Sequence, residues 1–220
     1  MGLADIMKML ADGTKDTLIM VLFSTLFGYL FGLPLGVLLS VTGDNGLKPM
    51  PLLYRVLDVV INIARSIPFL ILLILIQPFT KTVVGKSYGT LATVVPLTVA
   101  AIPFIARMVE SSLKEVDAGV IEAALSLGAS KMTIITKVLI AEARTSLLIG
   151  VTIATGTILG YSAMAGIVGG GGLGDIAIRY GYYRYETEIM IVTVVVIVLF
   201  MQLFQWFGML LSKKCDRRKR

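Results

Sequence analysis

The sequence predicts an all-α membrane protein with five transmembrane helices. Of its 220 residues, 56% are hydrophobic and only 15% are charged, and the mean hydropathy is +0.89. Soluble domains carry more charge and fewer apolar residues. Several apolar runs approach the roughly 20 residues that a helix needs to cross about 30 Å of hydrocarbon. Because only helices and closed barrels satisfy their backbone in lipid, these runs indicate helices.

Five apolar segments define the predicted spans, and residues 1–220 are expected to form one membrane domain. The predicted spans are residues 17–41, 67–84, 89–106, 146–168 and 189–211. Four prolines interrupt the spans and predict kinks: Pro34, Pro68, Pro96 and Pro103. Glycines recur at four-residue spacing and predict close helix packing in preference to a role in a pathway: Gly28, Gly32, Gly36, Gly156 and Gly160.

The distribution of Lys and Arg predicts the orientation of the bundle. Most of these residues lie after the first span, after the third span and at the C-terminus: Lys48, Arg55, Arg107, Lys114, Lys131, Lys137, Arg144, Lys213, Lys214, Arg217, Arg218, Lys219 and Arg220. Basic connections stay in the cytoplasm. With five spans, the N-terminus is therefore expected outside and the C-terminus inside. Residues 1–16 lack a basic n-region, so no cleavable signal peptide is expected.

The residue types exclude most enzyme chemistry. The chain has no histidine, and Cys215 is its single cysteine. It therefore lacks the material for a His/Cys metal site or an internal disulfide, and no catalytic residues are expected. The net charge of +6 reflects basic residues beside apolar segments, which indicates membrane topology and not nucleic-acid binding.

Two glycine motifs resemble nucleotide sites only superficially. Gly169-x-Gly171-x-x-Gly174 matches a dinucleotide fingerprint but follows a predicted membrane helix instead of a strand. Gly85-Lys86-Ser87 resembles the end of a P-loop, but Thr80 stands where that motif needs glycine. No cofactor is therefore expected on this chain, and an ATP-driven process would need a separate ATPase.

The connection at residues 110–144 is the strongest functional signal. It is much longer than a link between adjacent helices requires, and it predicts two short helices. Asp117 is expected to cap a helix over residues 120–127, Gly128 to end it, and Ser130 to cap the next helix. Small residues beside a carboxylate suit a helix that docks in a groove of another protein.

The motif Glu122-Ala123-Ala124-x-x-x-Gly128, followed by Val138-x-Ile140, resembles the EAA loop of ABC importer permeases. The proline that usually ends the motif is Ala141 here. The resemblance implies a five-helix type I permease bundle whose loop docks on an ATPase subunit. The docking residues that it implies are Asp117, Glu122, Ala123, Ala124, Gly128, Val138 and Ile140.

Residues 62–69, 96–110 and 160–166 resemble the methionine-importer branch of these permeases, and the likeness extends from about Leu33 to the last span. It implies a homodimer in the inner (cytoplasmic) membrane, two ABC ATPase subunits that carry ATP and Mg, and an extracytoplasmic binding protein that delivers methionine. A permease for another amino acid or an osmolyte is the alternative. An ion-coupled secondary transporter is disfavoured, because the predicted spans hold no acidic residue or histidine at mid-membrane.

Two groups of residues are candidates for the pathway or a gate. The first is Arg65, Ser66 and Pro68, and the second is Tyr161, Ser162 and Met164. For Arg65 a gate and a contact with lipid headgroups are equally good hypotheses, whereas Arg107 is expected to pair with Asp58 and Glu110 or with headgroups. Packing is the favoured role for the second group.

An aromatic and basic stretch follows the fourth span. It contains the candidate rim residues Arg179, Tyr182, Tyr183 and Arg184. Such a stretch is typical of an interfacial belt in a membrane protein, and it also suits contact with a docked protein. Both hypotheses are open from the sequence.

Overall fold

The computed structural model describes residues 2–215, which are mostly helical. In chain order the helices are α1 (Leu3–Thr42), α2 (Pro51–Ser66), α3 (Phe69–Leu75), α4 (Gln77–Val84), α5 (Thr90–Lys114), α6 (Ala118–Ser126), α7 (Lys131–Thr133), α8 (Ile140–Glu142), α9 (Arg144–Ala165), α10 (Gly172–Ile176) and α11 (Thr187–Cys215). The segments Ile134–Leu139 and Ala177–Tyr182 are π-helical, and Gly166–Val168 is a 3₁₀ turn.

Four helices in the described part of the chain are long and apolar enough to cross a membrane alone: α1, α5, α9 and α11. The pair α2 and α3 passes the same test when taken together, and its two members are bent by 99°. The structure therefore holds four to five candidate membrane helices, in agreement with the predicted all-α bundle.

Close packing of α1 on α5 forms the centre of the bundle. A methyl group at Gly32 would lie 2.9 Å from the carbonyl oxygen of Ile102. One at Gly36 would lie 2.5 Å from that of Ala106. Only glycine permits such an approach, so the prediction of close packing is confirmed on α1. On α9, Gly156 packs against Met201, whereas Gly160 has no neighbour within 4 Å of a would-be methyl group.

The contacts also determine the direction of each long helix. On α1 and α5 the contacting residue numbers rise together, so these helices run parallel. Ser146, early in α9, donates to Ser112, late in α5, at 3.0 Å, so α9 runs antiparallel to α5. Gly208, late in α11, lies against Thr152, early in α9, so α11 is again parallel to α5.

These directions define two ends of the bundle. The loop end is where α5 stops and α6 to α8 lie, and the rim end is where α1 and α5 begin and residues 166–186 lie. Helix α1 finishes at the loop end, yet α5 begins at the rim end. The chain between them, residues 43–89, must therefore return through the bundle, as the predicted fifth span required.

The second predicted span differs from the structure. Residues 67–84 form the short helices α3 and α4 with a break at Ile76, and the return begins earlier, with α2. Pro68 ends one helix and caps the next because proline disfavours helical geometry in the preceding residue. Amphipathic α2 lacks the unbroken apolar run by which spans are recognised, so the sequence did not reveal its part in the return.

The other span boundaries also move outward. Helix α1 begins at Leu3, not residue 17, and α5 continues to Lys114, not residue 106. The residues that extend these two helices include polar ones, so the helices continue beyond their apolar segments. Pro34, Pro96 and Pro103 lie inside continuous helices, whereas Pro68 lies at a break between two helices.

A glycine-rich segment folds back at the rim end. The backbone N–H of Leu173 donates to Thr17 Oγ1 at 2.9 Å, and that of Gly89 donates to the carbonyl oxygen of Gly169 at 3.0 Å. Gly169, Gly171 and Gly172 have φ between +76° and +82°, a conformation that favours glycine. The motif that resembled a nucleotide fingerprint therefore forms a turn between helices that packs on α1.

Candidate docking loop and transport pathway

The loop helix α6 is capped at both ends as the sequence predicted. The side chain of Asp117 accepts a hydrogen bond from the backbone N–H of Gly119 at 2.7 Å. Gly128 adopts φ +76° directly after the helix, and Ser130 accepts from the backbone N–H of Thr133 at 3.2 Å. Helix α6 is thus a local unit with its ends determined by its own sequence.

The inner side of the loop is anchored to the hydrophobic core. Ile134 and Leu139 are buried in the π-helical segment, and half-buried Ile121 packs on the same core. Ala124, Val138 and Ile140 are also half-buried against this core. These three predicted docking residues therefore contact the core and remain partly accessible.

The outer side of α6 has the character of an interface. The helix has no buried residue, although its sequence is largely apolar. Glu122 and Ala123 are exposed, as are Val120, Leu125 and Leu127, the last by 88%. Sequence reasoning missed these three apolar residues. Their signal was present, because Val120 and Leu125 flank the core-facing Ile121 and Ala124 on the helix surface, so the apolar arc is wider than the part that faces the core.

Charged residues join α2 to the end of α5. Arg107 donates to Asp58 at 2.5 Å and to Glu110 at 2.7 Å. Lys114 and the hydroxyl of Tyr54 donate to the other oxygen of Glu110 at 2.7 and 3.0 Å. The side chain of Glu110 is buried, so its charge is compensated by two cations and a hydroxyl. The expected pairing of Arg107 is the arrangement observed.

The first candidate pathway group lies at the bend between α2 and α3. Arg65, Ser66 and Pro68 are all exposed, and Ser66 donates to the carbonyl oxygen of Asn62 at 2.8 Å. Among residues 2–215, Arg65 forms no ion pair, in contrast to Arg107. The three residues therefore lie on the surface of the chain next to a sharp change of chain direction.

The second candidate group divides between packing and exposure. The ring of Tyr161 stacks on Phe69, next to Pro68, which brings the two candidate groups together. Ser162 is buried and donates to the carbonyl oxygen of Leu159 at 2.8 Å, an arrangement expected of packing. Met164 is 47% exposed.

The candidate rim residues form an exposed surface after α10. Tyr182 and Tyr183 are more than 60% exposed, with their rings in edge contact. Arg179 pairs with Asp175 at 2.6 Å. The guanidinium of Arg184 lies 4.6 Å from the ring centroid of Tyr180. All four predicted rim residues thus share one patch at the rim end, far along the bundle from α6.

The chain is similar to membrane components of binding-protein-dependent transport systems. The family model described as "Binding-protein-dependent transport system inner membrane component" matches residues 32–220. A probable D-methionine transport system permease protein MetI of Vibrio cholerae is 50% identical over 210 residues, which are 96% of this chain and 93% of the relative. The corresponding protein of Haemophilus influenzae is 42% identical over 208 residues, 94% of this chain and 98% of that one.

Solved structures share the fold. A chain of the MetNI methionine ABC transporter, described as inward facing, superimposes with a TM-score of 0.96 at 45% identity, covering 99% of this chain and 100% of that chain. A chain of an amino acid ABC transporter gives a TM-score of 0.79 at 21% identity, covering 96% of each. The second likeness concerns the fold alone.

Proposed function

This chain belongs to the family of binding-protein-dependent transport system inner membrane components, and from this premise we propose that it is the membrane-spanning permease of an ATP-driven methionine importer. The substrate assignment rests on relatives that are 42–50% identical and named as D-methionine permeases. The structural match to a methionine ABC transporter supports the same substrate. A different amino acid or an osmolyte is the alternative substrate, and the reconstitution experiment below distinguishes it from methionine.

The observation that carries the role in an ATP-driven transporter is the exposed apolar side of α6. A water-exposed helix with exposed Val120 and Leu125, followed directly by exposed Leu127, is unfavourable unless another protein covers it. The core-anchored side supplies a rigid base, so force on the outer side reaches the bundle. We assign this surface, with Glu122 and Ala123, to docking of an ATPase subunit, which carries the ATP and Mg²⁺.

The proposed orientation places the loop end in the cytoplasm and the rim end outside. Basic residues on loop-end elements include Lys48, Lys131, Lys137, Lys213 and Lys214. The positive-inside rule favours this arrangement in the inner membrane. The N-terminus then lies outside, and α11 ends in the cytoplasm near the docked ATPase.

The proposed assembly contains two copies of this chain, two ATPase subunits and one extracytoplasmic binding protein. One copy of the chain offers one α6, whereas ABC ATPases act as a pair, so a two-fold axis supplies the second docking site. The exposed tyrosines and Arg184 at the rim end are the surface proposed for the binding protein, because aromatic and arginine side chains are enriched at protein interfaces.

The proposed pathway runs past Arg65, Ser66, Pro68, Tyr161 and Met164. These residues lie near the α2–α3 bend, which the Phe69–Tyr161 stack ties to α9. Met164 presents a flexible, exposed thioether, a surface suited to a small amphipathic solute. Ser162 is assigned to packing.

Reconstitution tests the substrate and the driving force together. The permease is purified with its ATPase, placed in proteoliposomes with ATP on the loop-end side, and supplied with binding protein and labelled methionine. We expect ATP-dependent uptake that unlabelled methionine abolishes and other amino acids leave unchanged. Uptake that a different amino acid displaces more strongly would overturn the substrate assignment. Uptake without ATP would overturn the importer class.

A further inference from the structure

The side chains that join α2 to α5 form a ladder across the two helices. On α2 the ladder consists of Tyr54, Asp58 and Asn62, spaced four residues apart so that they share one face. On α5 it consists of Arg107, Glu110 and Lys114. The order of the contacts is antiparallel, since Tyr54 meets the last turn of α5 and Asn62 meets an earlier one.

The ladder supplies much of the attachment of α2. Ile61 is the only buried residue of α2, and its apolar contacts with the rest of the bundle centre on Leu39 and Ala106. The opposite face, with Val56, Val59 and Ile63, is exposed. Polar contacts in a low-dielectric setting are strong and directional, so the ladder sets where α2 lies along α5.

The ladder lies at the end of α5, just before the connection to the proposed docking helix. Helix α5 ends at Lys114, and α6 begins at Ala118 after a connection that includes half-buried Val116 and the capping residue Asp117. Leu113 and Val109 hold the end of α5 in the core. A displacement of α6 therefore acts on the turn of α5 that carries Glu110.

At its other end, α2 leads into the bend before α3. The bend of 99° occurs at Ile67 and Pro68, and Phe69 immediately beyond it stacks on Tyr161 of α9. Helix α2 is thus held along most of its length by the ladder, and the bend that follows it is held by the core. A shift of the ladder reaches the bend, where Arg65 and Ser66 are exposed.

We propose that Asp58 and Tyr54 are positioning residues for transport: they bind α2 to Arg107 and Glu110, so that movement of the docking helix is transmitted to the bend at Pro68. The inference rests on the proposed function, in which α6 receives force from an ATPase. Within it, the ladder couples ATP hydrolysis to opening of the pathway. It does not itself contact the solute.

The variant that tests this role combines Asp58→Asn with Tyr54→Phe. Both changes keep the size of the side chain while removing the ion pair to Arg107 and the hydrogen bond to Glu110. Glu110 keeps both of its cations, so the buried charge stays compensated. We expect the complex to assemble and its binding-protein-stimulated ATP hydrolysis to continue, while methionine transported per ATP falls roughly 2- to 30-fold, the range measured for mutations in coupled networks.

Two variants distinguish coupling from a general structural effect. Asp58→Glu retains the carboxylate, so the amount of methionine transported per ATP should stay close to that of the wild type. Asp44→Asn makes the same chemical change at an exposed residue that forms no ion pair within the described residues, and should leave the ratio unchanged. Should the double variant fail to assemble, Tyr54→Phe alone removes one hydrogen bond and should still lower the ratio measurably.

An unchanged methionine-to-ATP ratio in the assembled double variant or in Tyr54→Phe would overturn the inference. The inference would also be overturned if Asp44→Asn lowered the methionine transported per ATP as much as the double variant does. Failure of the proposed function is separately visible, because the wild-type protein would then not transport methionine at all.

Discussion

The rings of Phe69 and Tyr161 stack with their centroids 4.7 Å apart and their planes within 1° of parallel. Phe69 begins α3 after the sharp bend, and Tyr161 lies in the last turns of α9. The stack joins two stretches that the sequence alone could not place together. It makes the bend part of the core.

Loss of this stack should loosen the bend. Phe69→Leu keeps an apolar side chain but removes the ring contact, so we expect a loss of about 1 kcal/mol of stability, visible as a lower melting temperature in detergent. Tyr161→Phe keeps the ring and is the matched control, since the Tyr161 hydroxyl forms no hydrogen bond within residues 2–215. Equal melting temperatures for Phe69→Leu and wild type would contradict the assignment.

Glu110 should be more important for stability than its exposed partner. Glu110→Leu removes a carboxylate with an exposed fraction of 1%. Arg107 keeps Asp58 as a partner, whereas Lys114 and Tyr54 lose the oxygen to which they donate, so we expect a loss of about 1–3 kcal/mol. Lys114→Gln removes the cation of the Lys114–Glu110 ion pair. The Lys114 side chain is 53% exposed, so this change should cost at most about 1 kcal/mol. Thermal unfolding of the two purified variants checks the order, and a Lys114 variant that is the less stable would reverse it.

The glycines at four-residue spacing should differ sharply in how well they tolerate substitution by alanine. Gly36→Ala places a methyl group 2.5 Å from the carbonyl oxygen of Ala106 and should cost about 1–3 kcal/mol by forcing α1 from α5. The same change at Gly160 meets nothing within 4 Å. It should be neutral or slightly stabilising. Unfolding midpoints of both variants measure the difference, and equal effects would contradict the packing described.

Cys215 tests the orientation. It ends α11 at the loop end and is half-buried. A membrane-impermeant maleimide should therefore label it only after cells are permeabilised, and the absence of any other thiol makes the assay specific to this site. Labelling in intact cells would place the loop end outside and reverse the proposed topology.

The parts of the fold that depend on local sequence were predictable. Long apolar runs located α1, α5, α9 and α11, and the caps at Asp117, Gly128 and Ser130 require only neighbouring residues. The basic tail residues 217–220 that supported the orientation lie outside the described residues. The return through α2 was hidden because an amphipathic helix before a proline does not resemble a span.

The candidate docking site was only partly predictable, for a physical reason. The motif identified the loop, but the apolar arc of this nine-residue helix is wider than the part that packs on the core, and periodicity does not say which of its residues stay exposed. The structure turns Ala124 inward and Leu127 outward. A bulky residue at position 124 would therefore disturb the anchoring of the loop, and the outer surface is the place to test docking.

The proposed function depends on docking of the ATPase on the outer side of α6. Leu127→Asp and Ala123→Trp change exposed positions, so the permease should fold and reach the membrane in normal amount while the docking surface is disrupted. Val194→Trp places the same bulk on the exposed surface of α11 and should be tolerated.

The most direct measurement is the amount of ATPase subunit that copurifies with each permease variant, together with its stimulated hydrolysis. Leu127→Asp should lose the ATPase or retain it without stimulation by loaded binding protein, whereas Val194→Trp should behave as wild type. If Leu127→Asp and Ala123→Trp both keep a full complement of ATPase with normal stimulation and transport, α6 is not the coupling element and the account is contradicted.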